Sequence, residues 1–403
     1  MCGSLHVQPA FSLVPTPPAN AFVSMDRLAE TQETFPLELF FCSDCTHLQL
    51  LDVVDPTILF EHYVYVSGTS PSFVRHFEEY ADSIAAVIGS LAGRLVVDIG
   101  SNDGTLLTAF RDRHSAKVLG VDPARNLAEI ATAAGVETIA DFFTPTLAAA
   151  ITARHGQAVV ITANNVFAHI DDLASVADGV SSLLAPDGIF VFEVSYLLDV
   201  VEKTLFDTIY HEHLAYHAVR PLIPFLKRLG LELIEAVRIP SHGGSVRGIA
   251  QRAGGPRPRG ASVDEALALE AQRGLERLST YVDMANRIQQ LGTELRTLLT
   301  GLKSQGKTIA GFGAPAKATT LMYHFGINAD LIGFIVDDNP LKQGTFTPGM
   351  HIPVLPAESI EQRRPDYLLI LAWNFAEPII AKTAGFRANG GRYIVPLPTV
   401  KVV

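Results

Sequence analysis

Cysteine is scarce in this sequence, which holds only three among 403 residues. Cys2, Cys42 and Cys45 all lie near the start of the chain. A disulfide framework needs cysteines spread along the chain, so these three favour a local metal site or a redox role. The sequence therefore predicts a fold that disulfides do not hold together.

Positive charge is also in short supply. The chain carries 31 Lys and Arg against 42 Asp and Glu, which gives a net charge of −11 at pH 7. Proteins that bind nucleic acid do so through a basic face that releases counterions, and no such face is visible in this sequence. The charge balance therefore argues against a nucleic acid partner.

Long apolar runs are missing as well. No window reaches the roughly 18 uninterrupted apolar residues of a membrane helix, and the first residues do not have the pattern of a secretory signal. We therefore expect no membrane partner and a cytoplasmic location. The composition, 48% hydrophobic and 18% charged with 31 Gly, is that of a globular protein of mixed α/β class.

Short apolar runs alternate with helical patterns over the middle of the chain, which predicts a doubly wound, mainly parallel sheet. The runs fall at residues 95–97, 118–121, 158–161 and 188–192. Apolar residues recur every three or four positions over 71–91, which predicts an amphipathic helix ahead of this sheet.

The two ends of the chain have other patterns. Residues 1–56 are expected to be rich in loops, since Pro9, Pro15, Pro17 and Pro18 exclude a regular helix. Residues 265–303 have the pattern of one long helix or two shorter ones. Strand signals return at 307–310, 331–336 and 367–371, so a second, smaller α/β unit is expected over 305–403.

A glycine-rich turn follows the first predicted strand, with the sequence Asp-Ile-Gly-Ser-Asn-Asp-Gly-Thr at 98–105. Ligands of open α/β sheets bind at this end of the strands, and glycines let the backbone approach them closely. Asp98 and Asp103 would repel the phosphates of a dinucleotide, which sit at a helix N-terminus, but they suit a positive sulfonium. The turn therefore predicts a site for S-adenosylmethionine, with a degenerate nucleotide site or a structural turn as the alternatives.

Other residues at the ends of predicted strands extend this site. Asp122 closes the second strand and is placed to accept hydrogen bonds from ribose hydroxyls. Asp141 and Phe142 are positioned to flank the adenine, although core packing is an equally simple role for the aromatic ring. The residues assigned to the cofactor are Asp98, Gly100, Asn102, Asp103, Gly104, Asp122, Asp141, Phe142 and Asn164.

Titratable groups are concentrated at 206–213, in the sequence Phe-Asp-Thr-Ile-Tyr-His-Glu-His. Two histidines around a glutamate can indicate a metal site, but the i, i+4 pair of helical zinc sites is missing. A general base is the other interpretation, because histidine can take a proton from a carbon next to a carbonyl while a phenol stabilises the enolate oxygen.

The segment 163–169 ends another predicted strand on the opposite lip of the same cleft. His169 is therefore expected to face His213, with structural roles for both histidines as the alternative. Tyr63, Tyr65 and Ser67 alternate just before the helix at 71–91 and are placed to cover the cleft, unless they serve only in packing.

Seven blocks of sequence, taken in order, resemble the deoxysugar C-methyltransferases of antibiotic biosynthesis, which methylate C-3 or C-5 of thymidine-diphosphate keto-deoxysugars. The resemblance spans almost the whole chain. The blocks begin with Cys-Ser-Asp-Cys-Thr-His-Leu-Gln-Leu at 42–50 and continue at 63–67, 98–107, 206–213, 242–247, 311–317 and 337–344.

This resemblance implies a role for each catalytic candidate. His213 would remove the α-proton with support from Glu212, and the resulting carbanion would attack the methyl group in line with the departing sulfur. The residues expected around the enolate are Tyr210, Tyr65 and His169.

The same resemblance implies a substrate site shared by two domains. His242, Gly243 and Arg247 would lie near the sugar nucleotide, where a guanidinium suits phosphates, with a structural glycine turn as the alternative. Lys317 belongs to a second nucleotide-type loop, in a C-terminal Rossmann-like domain that would hold the substrate rather than a cofactor. The remaining residues assigned to the substrate are Tyr63, Ser67 and Tyr196.

The first residues resemble the zinc module of this family, which is normally built from two Cys-x-x-Cys pairs. Cys2, Cys42 and Cys45 are the implied zinc ligands, and the first pair is incomplete because Met1 stands before Cys2. His6, His47, a water or a cysteine upstream of Met1 are the candidates for the fourth ligand, and a bare thiol cluster is the alternative.

The implied architecture is α/β, with a zinc-binding module at 1–70, a Rossmann-like S-adenosylmethionine domain at 71–255, and a helical connector with a Rossmann-like domain at 256–403. The expected substrate is a small molecule. Three other hypotheses remain open from the sequence: an NAD-dependent sugar-nucleotide oxidoreductase, a non-catalytic scaffold, and a C-methyltransferase of a non-sugar enolisable compound.

Overall fold

Three β-sheets organise the chain in the computed structural model, which describes residues 1–60, 66–69 and 71–403. We call them the N-terminal, central and C-terminal sheets. Tyr63 and Tyr65 lie outside the described residues. Within the part of the chain that is described, no helix is both long and apolar enough to span a membrane.

The central sheet has seven strands, and those in its middle are parallel. Val96 packs into one apolar core and Val97 into another, as expected for a sheet that is covered on both faces. The doubly wound, mainly parallel sheet predicted from the sequence is confirmed. In spatial order the strands are Leu231–Ile239, Ser245–Arg252, Leu184–Ser195, Ala158–Asn164, Leu95–Ile99, Lys117–Val121 and Thr138–Ile139.

Helices fill the connections between these strands and continue into the C-terminal half. Thr144 illustrates how one begins: its hydroxyl accepts a hydrogen bond from Leu147 N at 3.2 Å, and proline occupies the first helical position. The α-helices are Pro56–Phe60, Pro71–Ile88, Thr105–His114, Arg125–Ala133, Pro145–His155, Leu173–Leu183, Leu197–Lys203, Val219–Arg228, Ala261–Arg273, Leu278–Ser304, Ala316–Phe325, Ser359–Arg363, Ala376–Lys382 and Ala384–Ala388. The 3₁₀ turns are Met25–Arg27, Ser67–Thr69, Phe206–Thr208, Ser241–Gly243 and Trp373–Phe375.

The connector predicted at 265–303 consists of two helices, Ala261–Arg273 and Leu278–Ser304. The first ends at Gly274, whose φ of 69° is left-handed and therefore favours glycine. Apolar periodicity runs through both helices, so it could not by itself locate this break.

The N-terminal sheet is antiparallel, and the loops predicted for residues 1–56 are wrong over much of its length. Its strands are Val7–Thr16, Phe35–Cys42, Leu48–Leu50 and Ala215–Tyr216. Of the four prolines that suggested loops, Pro9 and Pro15 lie in the first strand, at the edge of the sheet, where one side of the backbone needs no ladder partner, and Pro17 and Pro18 follow its end. The pairing of this strand also shifts register between Pro9 and Phe11 and between Leu13 and Thr16.

The C-terminal sheet has six strands, all parallel except the last. They are, in spatial order, Val354–Leu355, Ile335–Val336, Ile309–Phe312, Tyr367–Ile370, Arg392–Val395 and Lys401–Val402. The strand predicted at 331–336 is only two residues long, because Leu331 and Ile332 instead form a turn on the carbonyl of Asn328.

Candidate active site

A cavity of about 880 Å³ lies where the carboxyl ends of the central strands meet the C-terminal unit. The loop at 98–102 lines one wall, and Tyr210 and His213 line another. Lys317 of the helix Ala316–Phe325 and Asn20 of the N-terminal module also line it. All three parts of the chain therefore contribute to one cavity.

The loop after the strand Leu95–Ile99 takes its shape from left-handed residues. Gly100 has a φ of 69° and Asn102 a φ of 53°. A Cβ on Gly100 would lie 2.2 Å from Cγ2 of Val166, which no real structure tolerates. Glycine is required at this position both by the backbone and by the approach of Val166.

Asp122 is fixed at the edge of the cavity by two backbone donors. Its carboxylate accepts hydrogen bonds from Asn102 N at 2.8 Å and from Ala124 N at 2.9 Å. Burial raises the pKa of this carboxyl. Since a carboxylate has about four acceptor positions, Asp122 can still accept from a ligand hydroxyl.

Asp98 is buried in the wall of the same cavity and accepts a hydrogen bond of 2.6 Å from the hydroxyl of Thr162. Burial, with a smaller contribution from the charge of Asp122, raises the pKa of Asp98 to about 7. A cation placed beside it would reverse this shift by favouring the carboxylate.

Two of the nine residues assigned to the cofactor do not line the cavity. Asp103 accepts hydrogen bonds from Gly68 N at 2.8 Å and from the hydroxyl of Thr105 at 2.6 Å, so it holds the loop and the helix start in place. Gly104 has a φ of 77° and packs against Val136. The seven that line the cavity are Asp98, Gly100, Asn102, Asp122, Asp141, Phe142 and Asn164.

The residues present fit S-adenosylmethionine. The amide of Asn164 and the hydroxyl of Ser101 are buried at the cavity without a hydrogen bond of ordinary geometry in the described chain, so both can pair with a polar ligand. Asp98, Asp122 and Asp141 give this wall negative charge, which suits a sulfonium and an ammonium group.

His213 is oriented by a backbone carbonyl. Its Nδ1 lies 2.7 Å from the oxygen of Thr208 and donates to it, which leaves Nε2 as the nitrogen able to take a proton. Burial lowers the pKa of His213 to about 4, against the opposite effect of the Thr208 carbonyl. The imidazole is therefore neutral near pH 7.

Two of the four residues expected with His213, Tyr210 and His169, lie beside it. The ring centroids of Tyr210 and His213 are 4.1 Å apart, and those of His169 and His213 are 5.0 Å apart. Burial holds the pKa of His169 well below its usual value, and the neighbouring His213 lowers it further. His242 also lines the cavity, and its pKa is lowered to about 4, mainly by burial.

Glu212 and His211 do not line the cavity but join the N-terminal module. Glu212 Oε1 accepts a hydrogen bond of 2.7 Å from the amide of Asn20, and His211 Nε2 donates to the carbonyl of Phe35 at 3.2 Å. No sequence motif pointed to Asn20 or to the Thr208 carbonyl, since the first lies in a region without a motif and the second is backbone.

Two lysines line the C-terminal side of the cavity. The ammonium of Lys317 lies 4.0 Å from the ring centroid of Trp373 and 2.5 Å from Asn374 Oδ1, and burial lowers its pKa to about 8. Lys342 lies in the block at 337–344 that carries part of the family resemblance, but no role was assigned to it from the sequence. It donates to the carbonyl of Ala314 at 2.8 Å, and burial lowers its pKa too.

Of the other residues assigned to the substrate, Ser67 lines the cavity, and its amide donates to Asn102 Oδ1 at 3.0 Å. Tyr196 and Arg247 do not line it. The hydroxyl of Tyr196 donates to Glu270 at 2.8 Å, and Arg247 binds Glu193 at 2.6 Å.

Gly243 likewise lies outside the cavity lining, where it lets the backbone approach Trp373: a Cβ there would be 2.9 Å from the indole ring.

The three cysteines converge as predicted, with their sulfur atoms all within 4.8 Å of one another. Cys2 Sγ and Cys42 Sγ are 3.6 Å apart. Tetrahedral zinc with bonds of about 2.3 Å would place its sulfur ligands about 3.8 Å from one another, so the cluster fits zinc.

Neither histidine named as a fourth ligand joins this cluster among the described residues. His6 is exposed and pairs with Asp44 at 3.1 Å. His47 is buried and packs against His217, with 5.8 Å between the ring centroids.

Three family models match the chain. They are described as "Putative zinc binding domain" over residues 1–60, "Methyltransferase domain" over 73–236 and "C-methyltransferase C-terminal domain" over 240–398.

Two solved structures also resemble the chain. They are magnesium protoporphyrin IX methyltransferase of Synechocystis PCC 6803 (17% identity, 45% of this chain and 81% of that one, TM-score 0.33) and an S-adenosylmethionine-dependent methyltransferase of Clostridium acetobutylicum (13% identity, 44% and 92%, TM-score 0.36).

A relative of known class matches over the full length. The C-methyltransferase NovU of Streptomyces niveus is 38% identical over 403 residues, which cover 100% of this chain and 96% of NovU. This match decides against the oxidoreductase hypothesis. The chain belongs to the family of C-methyltransferases that includes NovU, and it is an S-adenosylmethionine-dependent enzyme with a zinc-binding N-terminal module.

Proposed function

We propose that this enzyme methylates the carbon next to the ketone of a TDP-linked keto-deoxysugar, and that His213 is the base that forms the enolate. The observation that carries this proposal is the neutral imidazole of His213 in the wall of the cavity, with its Nδ1 proton committed to Thr208. Such a group can accept a proton only at Nε2.

The reaction begins when Nε2 of His213 removes the proton from the α-carbon, leaving the electron pair delocalised onto the ketone oxygen. The phenol of Tyr210 lies beside this imidazole and donates to the developing enolate oxygen. His169 lines the same wall and completes the polar surroundings of the oxygen. Tyr65, outside the described residues, stays a predicted member of this group.

S-adenosylmethionine supplies an electrophilic methyl group when it is bound. Asp122, Asn164 and the loop at 98–102 would hold it on the wall that carries the acidic side chains. Holding two reactants in line in this way replaces a bimolecular encounter, which is the largest contribution a methyltransferase scaffold makes. The α-carbon of the enolate would accept this methyl group as the methyl–sulfur bond breaks.

The charge of the other wall supports a nucleotide-linked substrate. Lys317 and Lys342 both line the C-terminal side of the cavity, and ammonium groups of this kind bind the phosphates of a diphosphate. His242 also lines the cavity, close enough to Lys317 for that charge to contribute to its lowered pKa, and it donates or accepts according to its tautomer. A non-sugar ketone without phosphates would leave both cations unused.

Mass spectrometry tests the proposal. The enzyme is incubated with methyl-labelled S-adenosylmethionine and with TDP-linked 4-keto-deoxysugars, the corresponding free sugars, and a non-sugar β-diketone. We expect a labelled C-methyl product only from a nucleotide-linked sugar. Labelling of the diketone alone would overturn the substrate assignment in favour of a non-sugar compound.

A further inference from the structure

The chain that follows His213 is part of the N-terminal sheet. The strand Ala215–Tyr216 begins two residues after His213 and pairs with Leu48–Leu50 of the N-terminal module. The amide of Leu50 also donates to the carbonyl of Leu214 at 2.9 Å. The backbone beside the proposed base is therefore ordered by a sheet built mainly from residues 7–50.

Side chains just before His213 are bound to the same module. The amide of Asn20 donates to Glu212 Oε1 at 2.7 Å. Glu212 is only 2% exposed, so loss of this donor would leave a buried carboxyl oxygen without that partner. His211, which donates to Phe35, adds a second link to the module.

Asn20 is itself held from the C-terminal side. The hydroxyl of Thr319 donates to the carbonyl of Ala19 at 3.0 Å, and the neighbouring Thr320 donates to the carbonyl of Ile209 at 2.8 Å. One turn of the helix Ala316–Phe325 therefore contacts both the residue before Asn20 and the segment that carries the histidines. The Asn20–Glu212 bond is part of a supported arrangement rather than an isolated surface contact.

We infer that Asn20 is a positioning residue for proton abstraction: by binding Glu212 it fixes the backbone that presents His213 to the substrate. The inference rests on the proposed role of His213. A misplacement of about 1 Å in a catalytic group can cost roughly 100-fold in rate, so a lost hydrogen bond one residue away is sufficient to matter. The zinc-binding module is on this account a part of the active site.

Asn20 also lines the cavity, so contact with the substrate is the competing role. A substrate contact would raise KM, whereas a positioning role lowers the rate of proton removal at saturating substrate. This difference makes the two roles separable.

The test is exchange of the α-hydrogen of the TDP-keto-deoxysugar in deuterium oxide without S-adenosylmethionine, because it reports proton removal alone. We expect Asn20→Ala to slow exchange at saturating substrate by roughly 10- to 100-fold. The affinity for S-adenosylhomocysteine should stay unchanged.

The matched control is Ser12→Ala. The hydroxyl of Ser12 also donates to a glutamate of the N-terminal module, to Glu38 Oε1 at 3.3 Å, but it lies outside the cavity lining and away from Glu212. We expect this variant to exchange at the wild-type rate. Equal slowing in both variants, or a change in KM alone for Asn20→Ala, would overturn the inference.

A reciprocal exchange of the two groups gives an independent readout. Asn20→Asp alone places two carboxyl groups next to each other and should slow exchange. Asn20→Asp combined with Glu212→Gln restores one donor and one acceptor, so the exchange rate should recover. If the double variant does not recover the exchange rate, the inference is overturned. This result can be read even if Asn20→Ala does not fold. Absence of exchange in the wild-type enzyme would instead contradict the proposed function.

Discussion

At the scale of single residues, the chemistry of the site depends on how His213 is held. The Thr208 carbonyl fixes its tautomer, and burial keeps it neutral well below pH 7. A carbonyl carries no net charge, so it orients the imidazole and raises its pKa less than a neighbouring carboxylate would. Thr208 contributes only its backbone carbonyl to this hydrogen bond, which any residue at position 208 would also provide.

Replacement of His213 by alanine should therefore remove the base and leave the fold intact. We expect methyl transfer and α-hydrogen exchange to fall by roughly 10²- to 10⁴-fold, the usual contribution of a general base. Calorimetry with S-adenosylhomocysteine should give the wild-type affinity. His155→Ala, on the helix Pro145–His155 and outside the cavity lining, serves as the control and should retain activity. Unchanged turnover in His213→Ala would rule out this residue as the base.

The raised pKa of Asp98 predicts that binding of the cofactor releases protons. Its pKa of about 7 means that roughly half of the molecules carry a protonated carboxyl at pH 7. A cationic ligand favours the charged carboxylate, so binding should lower this pKa and release a fraction of a proton. Calorimetry with S-adenosylmethionine in buffers of different ionisation enthalpy measures that release.

The proton release should vanish in Asp98→Asn and should fade above pH 9, where the carboxyl is already ionised before binding. S-adenosylhomocysteine lacks the sulfonium charge and should release less. Binding heats that are identical in all buffers at pH 7 would show that cofactor binding does not change the protonation of Asp98.

At the scale of elements, the sequence was most informative where several neighbouring residues share one environment. The strand Leu95–Ile99 is buried along its whole length, and the helix Pro71–Ile88 buries one regular face, so both leave a pattern in the chain. The strand Val7–Thr16 lies at a sheet edge and holds prolines, so its pattern was weak. The strand Ala215–Tyr216 is only two residues long, too short for any periodicity.

The same reasoning explains which parts of the site could be predicted. Residues at the ends of parallel strands must meet at one edge, which is why His169 and His213 were expected together and lie 5.0 Å apart between ring centroids. Asn20 and Lys342 come from units outside that sheet. Their approach depends on how three units pack, which local pattern does not encode.

Substitutions in the loop at 98–104 test whether the shape of its backbone determines the affinity for the cofactor. In Gly100→Ala the new Cβ clashes with Val166, and the left-handed backbone costs about 1 kcal/mol more for alanine than for glycine. The loop must therefore shift, and S-adenosylhomocysteine should bind at least about tenfold more weakly. Gly89→Ala, whose φ is 86° and whose Cβ meets nothing within 4 Å, is the matched control.

The double variant Gly100→Ala with Val166→Ala removes the clash but keeps the backbone cost, and it should regain part of the affinity. Equal affinities for Gly100→Ala and Gly89→Ala would show that the approach of Val166 does not shape the cofactor loop.

At the scale of the whole molecule, three sheets surround one cavity, and each contributes a different chemical group. The zinc-binding module supplies a strand that pairs with the segment following His213, and its three cysteines lie outside the cavity lining. Metal analysis should find about one zinc per chain, and Cys42→Ser should lose it because a four-coordinate site rarely tolerates loss of a thiolate. His6→Ala should keep its zinc, since the His6 side chain lies outside the cysteine cluster. Loss of zinc in His6→Ala would identify it as the fourth ligand.

Burial of several neutral histidines also sets how stability depends on pH. The pKa values of His213, His217 and His242 are each lowered to about 4, chiefly by burial. In the unfolded chain these imidazoles bind protons below about pH 6.5, whereas in the folded protein they stay neutral until near pH 4. The unfolded state therefore takes up more protons over this interval, and stability that is fully present above pH 6.5 is lost as the pH falls toward 4. Asp98, whose pKa burial raises to about 7, has the opposite effect on stability over this interval, so the contribution of a histidine is measured as the difference between the wild type and a variant that lacks it, by thermal unfolding at pH 8, 7, 6 and 5. His217→Asn removes one of these groups outside the cavity lining, so the Tm of this variant should fall less steeply than that of the wild type as the pH is lowered. If the Tm of both proteins changes equally with pH, His217 is already protonated in the folded protein.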